Sequence, residues 1–354
     1  MKTLIFLLTI IAFSKASPNT QETTDKILDI FEQRNNVKEL FKVWHMIYEK
    51  DYNYNTQEGI QKYVTFKQNL KVIQEHNSKD TFYKQGLNHL SDMTYEEIVN
   101  YYNLKPISHK EMKGFLQNMI SLDDYNEEDD DESIKIQSKS GIVGRAKKDV
   151  RAYMRPVRDQ LGCGSCWAFS TMAAIEGVYS KKYTKLTDWL STQQLVDCDK
   201  SDNGCNGGWF YGAINYFKTI SAIYEANYKY TGKQGICTEA SKTHTSIKTT
   251  GFTTASNADT LYRLLANGPV AVAIDANSTF ANYKSGVYNS TCISAVNHGV
   301  VLVGYGTQNG VGYWIIRNSW SDKWGNLGHI WVQENSANNG SCNIERYGYQ
   351  PLIA

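Results

Sequence analysis

The stretch Gln160-Leu-Gly-Cys163-Gly-Ser-Cys166-Trp167-Ala-Phe-Ser170 decides how the rest of the chain is interpreted. Residues from Cys166 to about Lys182 are good helix formers or of core size, so this segment is predicted to be a helix that begins at Cys166. The first turn of a helix favours the thiolate, which is the nucleophilic form of cysteine. Cys166 is therefore a candidate nucleophile, and its own backbone N–H would point toward an anion.

A nucleophilic cysteine needs a base and a group that orients the base. His298 lies far downstream, just before a predicted strand, and Asn318 lies just after the next one. Neighbouring strand ends would let the Asn318 amide oxygen accept a hydrogen bond from the imidazole, with Trp320 shielding it from water. Gln160, shortly before Cys166, would complete an oxyanion hole with the Cys166 N–H.

Each of these residues has an ordinary structural explanation when it is taken alone. A cysteine beside a tryptophan is commonly a core residue or a disulfide partner, one histidine among seven is commonly structural, and Asn-Ser-Trp is commonly a turn. Their joint occurrence in this order favours catalysis.

The composition predicts a globular protein with sizeable cores. The 354 residues are 41% hydrophobic and 12% aromatic, enough for two domains or more. The formal net charge of +1 gives no indication of a nucleic-acid partner or of an acidic membrane surface.

The first sixteen residues have the pattern of a secretory signal peptide. Met1-Lys2 precedes an apolar run too short to span a membrane, and Ser14-Lys15-Ala16 offers a cleavage site after Ala16. On this route six of the seven cysteines can pair, and the odd one is a free reactive thiol or an intermolecular partner. The chain also contains three candidate glycosylation sequons, at Asn277, Asn289 and Asn339.

Residues 17 to about 105 lack cysteine and have a helical pattern. Phe41, Trp44 and Tyr48 recur at the spacing of one helix face. A longer row follows one face of a single helix and comprises Glu58, Lys62, Phe66, Asn69, Ile73 and Asn77. An ordinary amphipathic helix explains the apolar members, but two asparagines on that face need partners.

An acidic tract separates the two halves of the chain. Eight of the ten residues from Asp123 to Glu132 are carboxylates. The tract is either a solvated, disordered linker or a pH-sensitive hinge open to proteases, and the sequence leaves both interpretations open.

From about residue 150 onward cysteine, glycine and tryptophan appear. Apolar or alternating runs at 270–274, 299–303 and 313–317 predict strands between glycine-rich turns. The second half is therefore expected to be α+β, with a helical lobe over about 155–250 and a β-rich lobe over about 251–348.

From about residue 25 to its end, the chain resembles the papain family of cysteine proteases and is most similar to cathepsin L-like zymogens. Cys163–Trp167 matches the family's signature around the nucleophile. The row from Glu58 to Asn77 resembles the family's propeptide helix motif, with lysine for the usual arginine. Gly86-Leu-Asn88-His-Leu90-Ser-Asp92 resembles the second propeptide motif, with leucine for the usual phenylalanine.

The resemblance implies a papain-like two-lobed fold, in which a helical lobe and an antiparallel β-barrel-like lobe flank an active-site cleft. The peptidase domain would occupy 141–354. An inhibitory propeptide at 17–140, with helical residues 37–105 and an acidic linker at 121–140, would run through the cleft in the reverse direction to a substrate and block it.

The resemblance also implies the disulfide pairing, since six cysteines alone allow 15 pairings. It selects Cys163–Cys205, Cys198–Cys237 and Cys292–Cys342, which leaves Cys166 free.

Substrate binding is likewise inferred from the resemblance. Gly207 and Gly208 would form a wall that hydrogen-bonds the peptide backbone. The main specificity pocket would be apolar and made shallow by a tyrosine at its base, and its residues would be Trp209, Phe210, Ala273, Gly299 and Tyr347. We expect a preference for hydrophobic or aromatic side chains just upstream of the cleaved residue. Internal cleavage is expected because a cathepsin B-like insertion is absent from the sequence.

The sequence departs from the family pattern at four further positions. Val150 stands for the usual tryptophan, Ser321 for glycine, Asn326 for glutamate and His329 for tyrosine. None of them removes a catalytic group.

The expected enzyme is a cysteine endopeptidase that needs no metal or cofactor. Its partners would be protein and peptide substrates and its own propeptide, with no nucleic acid and no membrane after signal removal, and we expect a monomer. It would reach a lysosome, a digestive vacuole or the extracellular space, and the activating cut would fall near 133–148.

Two alternative functions remain. A catalytically silent papain-like binding protein should lack Cys166, His298 or Asn318. A disulfide-stapled interaction module should not need an odd cysteine and a long Cys-free leader.

Overall fold

A computed structural model describes residues 20–107, 146–290, 292, 295–334 and 339–354 of the chain. The predicted signal peptide at 1–16 and the acidic linker at 121–140 lie outside the described residues, as does most of the region predicted for the activating cut. Within the described ranges, no helix combines the length and the apolar character that crossing a membrane requires.

Residues 20–107 fold mainly into helices: α1 (Thr20–Gln33), α2 (Val37–Ile47), α3 (Gln57–Asn77) and α4 (Tyr95–Tyr102). Side-chain caps begin three of them, at Asn36, Thr56 and Thr94. The apolar side chains of α1 to α3 pack into a core of their own, with Phe41, Trp44, Phe66, Leu70 and Ile73 among its buried residues.

Helix α3 confirms the predicted single helix, and the two asparagines on its face have partners. Asn69 Nδ2 donates to the carbonyl oxygens of Ser91 and Met93 at 2.9 and 2.8 Å. Asn77 donates to the Gln85 carbonyl and accepts from the Gln85 N–H, at 2.8 and 2.9 Å. The asparagines therefore fix the second propeptide motif and the strand before it onto the helix.

The peptidase half begins with helices. They are α5 (Cys166–Lys182), α6 (Thr192–Cys198) and α7 (Phe210–Thr219), and α5 begins at Cys166 as the sequence predicts. Helix α5 is buried along most of its length, because both lobes pack on it. Its first turn is thereby held at the boundary between the lobes.

The described chain also has nine strands and two further short helices, and the first two strands precede α5 in sequence. The elements are β1 (Tyr83–Gln85), β2 (Lys148–Asp149), β3 (Thr249–Ala255), α8 (Ala258–Leu265), β4 (Val270–Ile274), α9 (Ser278–Ala281), β5 (Tyr283–Tyr288), β6 (His298–Gln308), β7 (Val311–Arg317), β8 (His329–Gln333) and β9 (Gly348–Ile353). The strand order is β1-β5-β8-β7-β6-β4-β9-β3, and β2 pairs with β6. The predicted α+β class is confirmed, although the β5–β8 pair is parallel, so the sheet is mixed rather than wholly antiparallel.

The N-terminal part joins the sheet of the peptidase half. Strand β1 pairs antiparallel with β5, with Tyr83 opposite Gly286. Asn88 Nδ2 donates to the carbonyl of Ala281 at 2.8 Å, and Tyr95 donates its hydroxyl hydrogen to the carbonyl of Ala276 at 2.7 Å. These bonds place the end of α4 over the cleft between the lobes.

Candidate active site

The catalytic candidates come from three element ends that meet at the cleft. Cys166 begins α5, His298 begins β6, and Asn318 directly follows β7. Because β6 and β7 are antiparallel neighbours, the start of one lies beside the end of the other. The start of β6 also touches the start of α5, since a Cβ on Gly299 would lie 3.2 Å from the carbonyl oxygen of Cys166.

The imidazole of His298 is oriented as the sequence predicts. Its Nε2–H donates to Asn318 Oδ1 at 2.7 Å, which leaves Nδ1 as the basic nitrogen. Nδ1 is buried and has no hydrogen-bond partner among the described residues, so it is the atom free to take a proton from Cys166. The Trp320 ring lies 4.9 Å from the His298 ring and excludes water from the bond to Asn318.

Burial favours the neutral forms of both groups while the site is covered. It raises the pKa of the Cys166 thiol, although the backbone N–H groups of Gly299 and Trp167 act in the opposite direction. It lowers the pKa of His298 to about 4, against the opposing effect of the bond to Asn318. In this covered form the pKa of Cys166 is raised and not lowered, because desolvation outweighs the backbone N–H groups that face the sulfur.

Gln160 is fully buried beside Cys166. Its Nε2 donates to the Cys163 carbonyl at 3.0 Å, and its Oε1 accepts from the Ser319 hydroxyl at 2.6 Å. These two bonds fix the plane of the amide, so Ser319 positions the oxyanion-hole candidate. The Asn-Ser-Trp segment gave no sequence signal for this role of its serine.

The predicted substrate wall and part of the predicted pocket line the same cleft, whereas the pocket residues Ala273 and Tyr347 are buried and do not border its open space. Gly207 adopts a φ of 110°, which a side chain would strain, and nothing lies within 4 Å of where its Cβ would be. Trp209, Phe210, Ala273 and Tyr347 share one apolar cluster, in which the Trp209 and Tyr347 rings meet edge to face at 5.8 Å. Gly299 lies beside this cluster, since a Cβ on Gly299 would be 3.1 Å from the Phe210 ring.

The end of the N-terminal part covers this cleft. Asn103 Nδ2 donates to the Cys205 carbonyl at 2.9 Å, and the Ile107 N–H donates to the Val296 carbonyl at 3.1 Å. Tyr102 stacks on Trp320 at 4.5 Å with the ring planes 5° apart. The remaining space, about 440 Å³, is lined by this segment and by the catalytic candidates Cys166 and His298.

Ile107 packs against the apolar cluster of the predicted pocket. Sequence reasoning missed Tyr102 and Ile107, because no periodic pattern marks a tyrosine pair or a lone isoleucine after proline as the residues that fill a cleft.

The cysteines pair as the resemblance implies. Disulfides join Cys163 to Cys205, Cys198 to Cys237 and Cys292 to Cys342, and Cys166 is the free cysteine within the described part of the chain. The first bridge ties the segment before the nucleophile to the loop of the glycine wall.

The three sequon asparagines lie in different settings. Asn277 is the N-cap of α9: its Oδ1 accepts from the backbone N–H groups of Thr279 and Phe280 at 3.0 and 3.1 Å, and its Nδ2 contacts Cys292 Sγ. Asn289 and Asn339 are half-buried at the surface. The Asn277 amide is therefore engaged in hydrogen bonds of the cap, and Asn277 is half-buried like the other two.

The departures from the family pattern have local consequences. Val150 is buried, and its N–H donates to the Val303 carbonyl at 2.9 Å. Ser321 adopts a φ of 66°, which is the conformation that glycine tolerates. His329 is buried at the start of β8, opposite Arg317, whereas Asn326 is exposed.

A free cysteine at a helix start, an imidazole oriented by an amide and a covering N-terminal segment define the zymogen of a cysteine hydrolase. Two family profiles match the sequence. "Papain family cysteine protease" matches residues 145–352, and "Cathepsin propeptide inhibitor domain (I29)" matches residues 41–98. The chain belongs to the papain family of cysteine proteases and carries the family's propeptide inhibitor domain.

Individual relatives and a solved structure match most of the chain. Vignain of Vigna mungo is 38% identical over 81% of this chain and 78% of its own length. A cathepsin L-like proteinase of Fasciola hepatica is 35% identical over 89% of this chain and 94% of its own length. The proform of the Amb a 11 cysteine protease, a ragweed pollen allergen, superposes with a TM-score of 0.76 at 30% identity and covers 90% of this chain and 95% of its own.

Proposed function

We propose that the mature protein is an endopeptidase that hydrolyses peptide bonds with the Cys166 thiolate as nucleophile and His298 as its base. The observation that carries this proposal is the 2.7 Å bond from His298 Nε2–H to Asn318 Oδ1, because it leaves Nδ1 as the basic nitrogen in the cleft. Relatives named as proteinases support the reaction class.

The chemistry is acyl transfer. Removal of the covering segment rehydrates the cleft, which relieves the desolvation that holds both groups neutral, and the proton of the thiol passes to His298 Nδ1. The thiolate adds to the scissile carbonyl, and the Cys166 N–H with the Gln160 amide stabilises the oxyanion. His298 protonates the leaving amine and then activates the water that hydrolyses the thioester.

The test is to label the nucleophile. The purified proform is held at acidic pH with a thiol reductant and an epoxysuccinyl inhibitor, and the adduct is located by peptide mapping. We expect an adduct on Cys166 alone, loss of the N-terminal segment, and peptidase activity that Cys166→Ala abolishes. A folded, leader-free protein with neither adduct nor activity would refute the proposal in favour of a silent binding protein.

For specificity we propose a hydrophobic or aromatic side chain just upstream of the cleaved residue. The apolar cluster of Trp209, Phe210, Ala273 and Tyr347 supports this choice, and the seating of Ile107 against it indicates that a branched aliphatic chain fits. Burial of a leucine or isoleucine side chain is worth about 1.5–3 kcal/mol, so an apolar residue should be preferred over a charged one at least tenfold in kcat/KM.

The pocket is tested by changing its base. Tyr347→Ala should deepen it and shift the preference from leucine and valine toward phenylalanine and tryptophan, whereas the matched control Tyr347→Phe should keep the wild-type ranking. A substrate library in which Tyr347→Ala leaves the ranking unchanged would show that Tyr347 does not limit the pocket.

We also propose that the N-terminal part inhibits the enzyme within the same molecule and that the chain travels the secretory pathway to a lysosome, a digestive vacuole or the exterior. The contacts of Tyr102 and Ile107 in the cleft support the first statement. The signal-peptide pattern and the three disulfides, which persist in oxidising compartments, support the second. Glycan is expected at Asn289 and Asn339 before Asn277, and glycopeptide mapping tests this order.

A further inference from the structure

Besides the Cys163–Cys205 disulfide, a carboxyl group helps to hold the loop that carries the glycine wall. Asp202 Oδ1 accepts a hydrogen bond from the backbone N–H of Trp209 at 2.7 Å. The Asn203 N–H donates to the Gly207 carbonyl at 2.9 Å, and a Cβ on Gly208 would lie 2.7 Å from Asp202 Oδ1. The placement of both wall glycines therefore depends on where the Asp202 carboxyl lies.

A second carboxyl group, Asp199, lies close to Asp202, because the Ser201 hydroxyl that donates to Asp199 and the Oδ2 atom of Asp202 both lie within 2.6 Å of the Cβ position of Gly212. Asp199 Oδ1 accepts from the N–H and the hydroxyl of Ser201 at 2.9 and 2.7 Å. The Oδ2 atoms of Asp199 and of Asp202 are both buried, and neither has a hydrogen-bond donor among the described residues. Two ionised carboxylates in this arrangement would repel each other, and both would lack a donor. A single proton between them gives each a partner.

The packing around Asp202 buries its Oδ2 atom, although the residue as a whole is half-buried and borders the cleft. A Cβ on Gly212 of α7 would lie 2.6 Å from Asp202 Oδ2, so the helix backbone closes one side. The Trp167 ring of α5 and the Oδ1 atom of Asp202 lie 2.6 and 2.7 Å from the Cβ position of Gly208, so both pack against this glycine. Burial, and then the negative charge of Asp199, raise the pKa of Asp202 to about 8, against the opposing bond from the Trp209 N–H.

The other charged groups near the pair are engaged elsewhere. Lys200, on the same loop, directs its ammonium to the Asp197 carbonyl at 2.9 Å, and the Asp197 carboxylate accepts from Gly235 N–H at 2.6 Å. On α7, the hydroxyl of Tyr216 donates to the carboxylate of Glu239. None of these bonds supplies a cation or a donor to the two orphaned oxygens.

We propose that Asp199 and Asp202 share one proton and act as a positioning pair that holds the glycine wall, so that substrate affinity falls when the pair loses this proton at alkaline pH. The proposal rests on the proposed function, because the wall is assigned there to binding the substrate backbone. The pair does not touch the reacting atoms. Its titration should therefore raise KM and leave kcat to the Cys166–His298 couple.

The test compares wild type with Asp202→Asn after activation, measuring kcat and KM for one peptide substrate from pH 5.5 to 9. The asparagine keeps an oxygen for the Trp209 N–H and adds an N–H that donates to Asp199, which mimics the protonated pair at every pH. We expect the KM of wild type to rise at least threefold between pH 7 and pH 9, and the KM of Asp202→Asn to stay constant. Asp188→Asn, which removes an exposed carboxylate that pairs with Arg155, should follow the wild-type curve.

Active-site titration with the epoxysuccinyl inhibitor separates the possible failures. If wild type carries no reactive Cys166, the proposed function fails before the pair is tested. If wild type is active and its KM profile superposes on that of Asp202→Asn, the proton-sharing pair is refuted and the protease assignment stands. A wild-type KM at pH 8.5 that falls on addition of 1 mM Ca²⁺ would also overturn the proposal, since a cation and not a proton would then join the carboxylates.

Discussion

His329 is expected to make this protein less stable in acid than a relative with tyrosine at the same position. Its Nδ1–H donates to the Leu327 carbonyl at 2.8 Å, whereas Nε2 is buried without a partner among the described residues. Burial lowers the pKa of His329 to about 3, and the charges of Arg317 and Arg151 act in the same direction. The folded protein therefore keeps this imidazole neutral.

The size of the effect follows from the two pKa values. The unfolded chain binds the proton at about pH 6.5, so between that pH and the folded pKa it holds more protons than the folded protein. The stability contributed by the neutral imidazole is complete above pH 6.5 and is lost as pH falls. Between pH 7 and pH 4.5 the loss amounts to about 2.5 kcal/mol.

The assay uses urea unfolding of the Cys166→Ala proform, which cannot digest itself, with and without His329→Asn. The asparagine amide keeps a donor for the Leu327 carbonyl but does not titrate. Its smaller volume costs the same at every pH, so the difference between pH 7 and pH 4.5 isolates the proton. We expect the histidine form to lose about 2.5 kcal/mol more than the asparagine form over this interval. Equal losses in the two forms would refute the assignment of acid sensitivity to His329.

Three further changes test how the propeptide is held. A Cβ on Gly286 would lie 2.5 Å from the carbonyl oxygen of Phe82, the propeptide residue directly before β1. Gly286→Ala should therefore weaken propeptide binding about tenfold and speed autoactivation at pH 4.5. Burial, and then the charge of Lys50, lower the pKa of His89 to about 3, so release of the propeptide binds a proton below pH 6.5, and His89→Gln should shift autoactivation to lower pH. Ile107→Arg places a charge in the apolar pocket and should raise the peptidase activity of the uncleaved proform at least tenfold.

The controls for these variants are the mature enzymes and a wild-type time course. Mature Gly286→Ala should keep its kcat, because the glycine lies outside the cleft. An unchanged activation half-time for Gly286→Ala, an unchanged activation pH for His89→Gln, or a silent Ile107→Arg proform would each contradict the contact from which it was derived.

Much of the fold could be predicted from local patterns in the sequence. Helix α3 was predictable because one of its faces repeats at helical spacing, and helix α5 because its residues are good helix formers or of core size. Strands β4, β6 and β7 were predictable because they are apolar runs between glycine-rich turns. The catalytic residues were predictable in kind, since a cysteine nucleophile requires a base and an orienting group. The disulfide pairing came from the resemblance, because six cysteines alone do not specify it.

Local periodicity and motifs therefore record the family, the main elements and the candidate reacting groups. The tertiary structure alone decided the electrostatic state of the site, because burial depends on residues that are far apart in the chain. It placed Tyr102 over Trp320, brought Asp202 to the glycine wall beside Asp199, and buried His329 opposite Arg317. A pKa or an inhibitory contact arises from the packing of separate elements, and no spacing within one element encodes it.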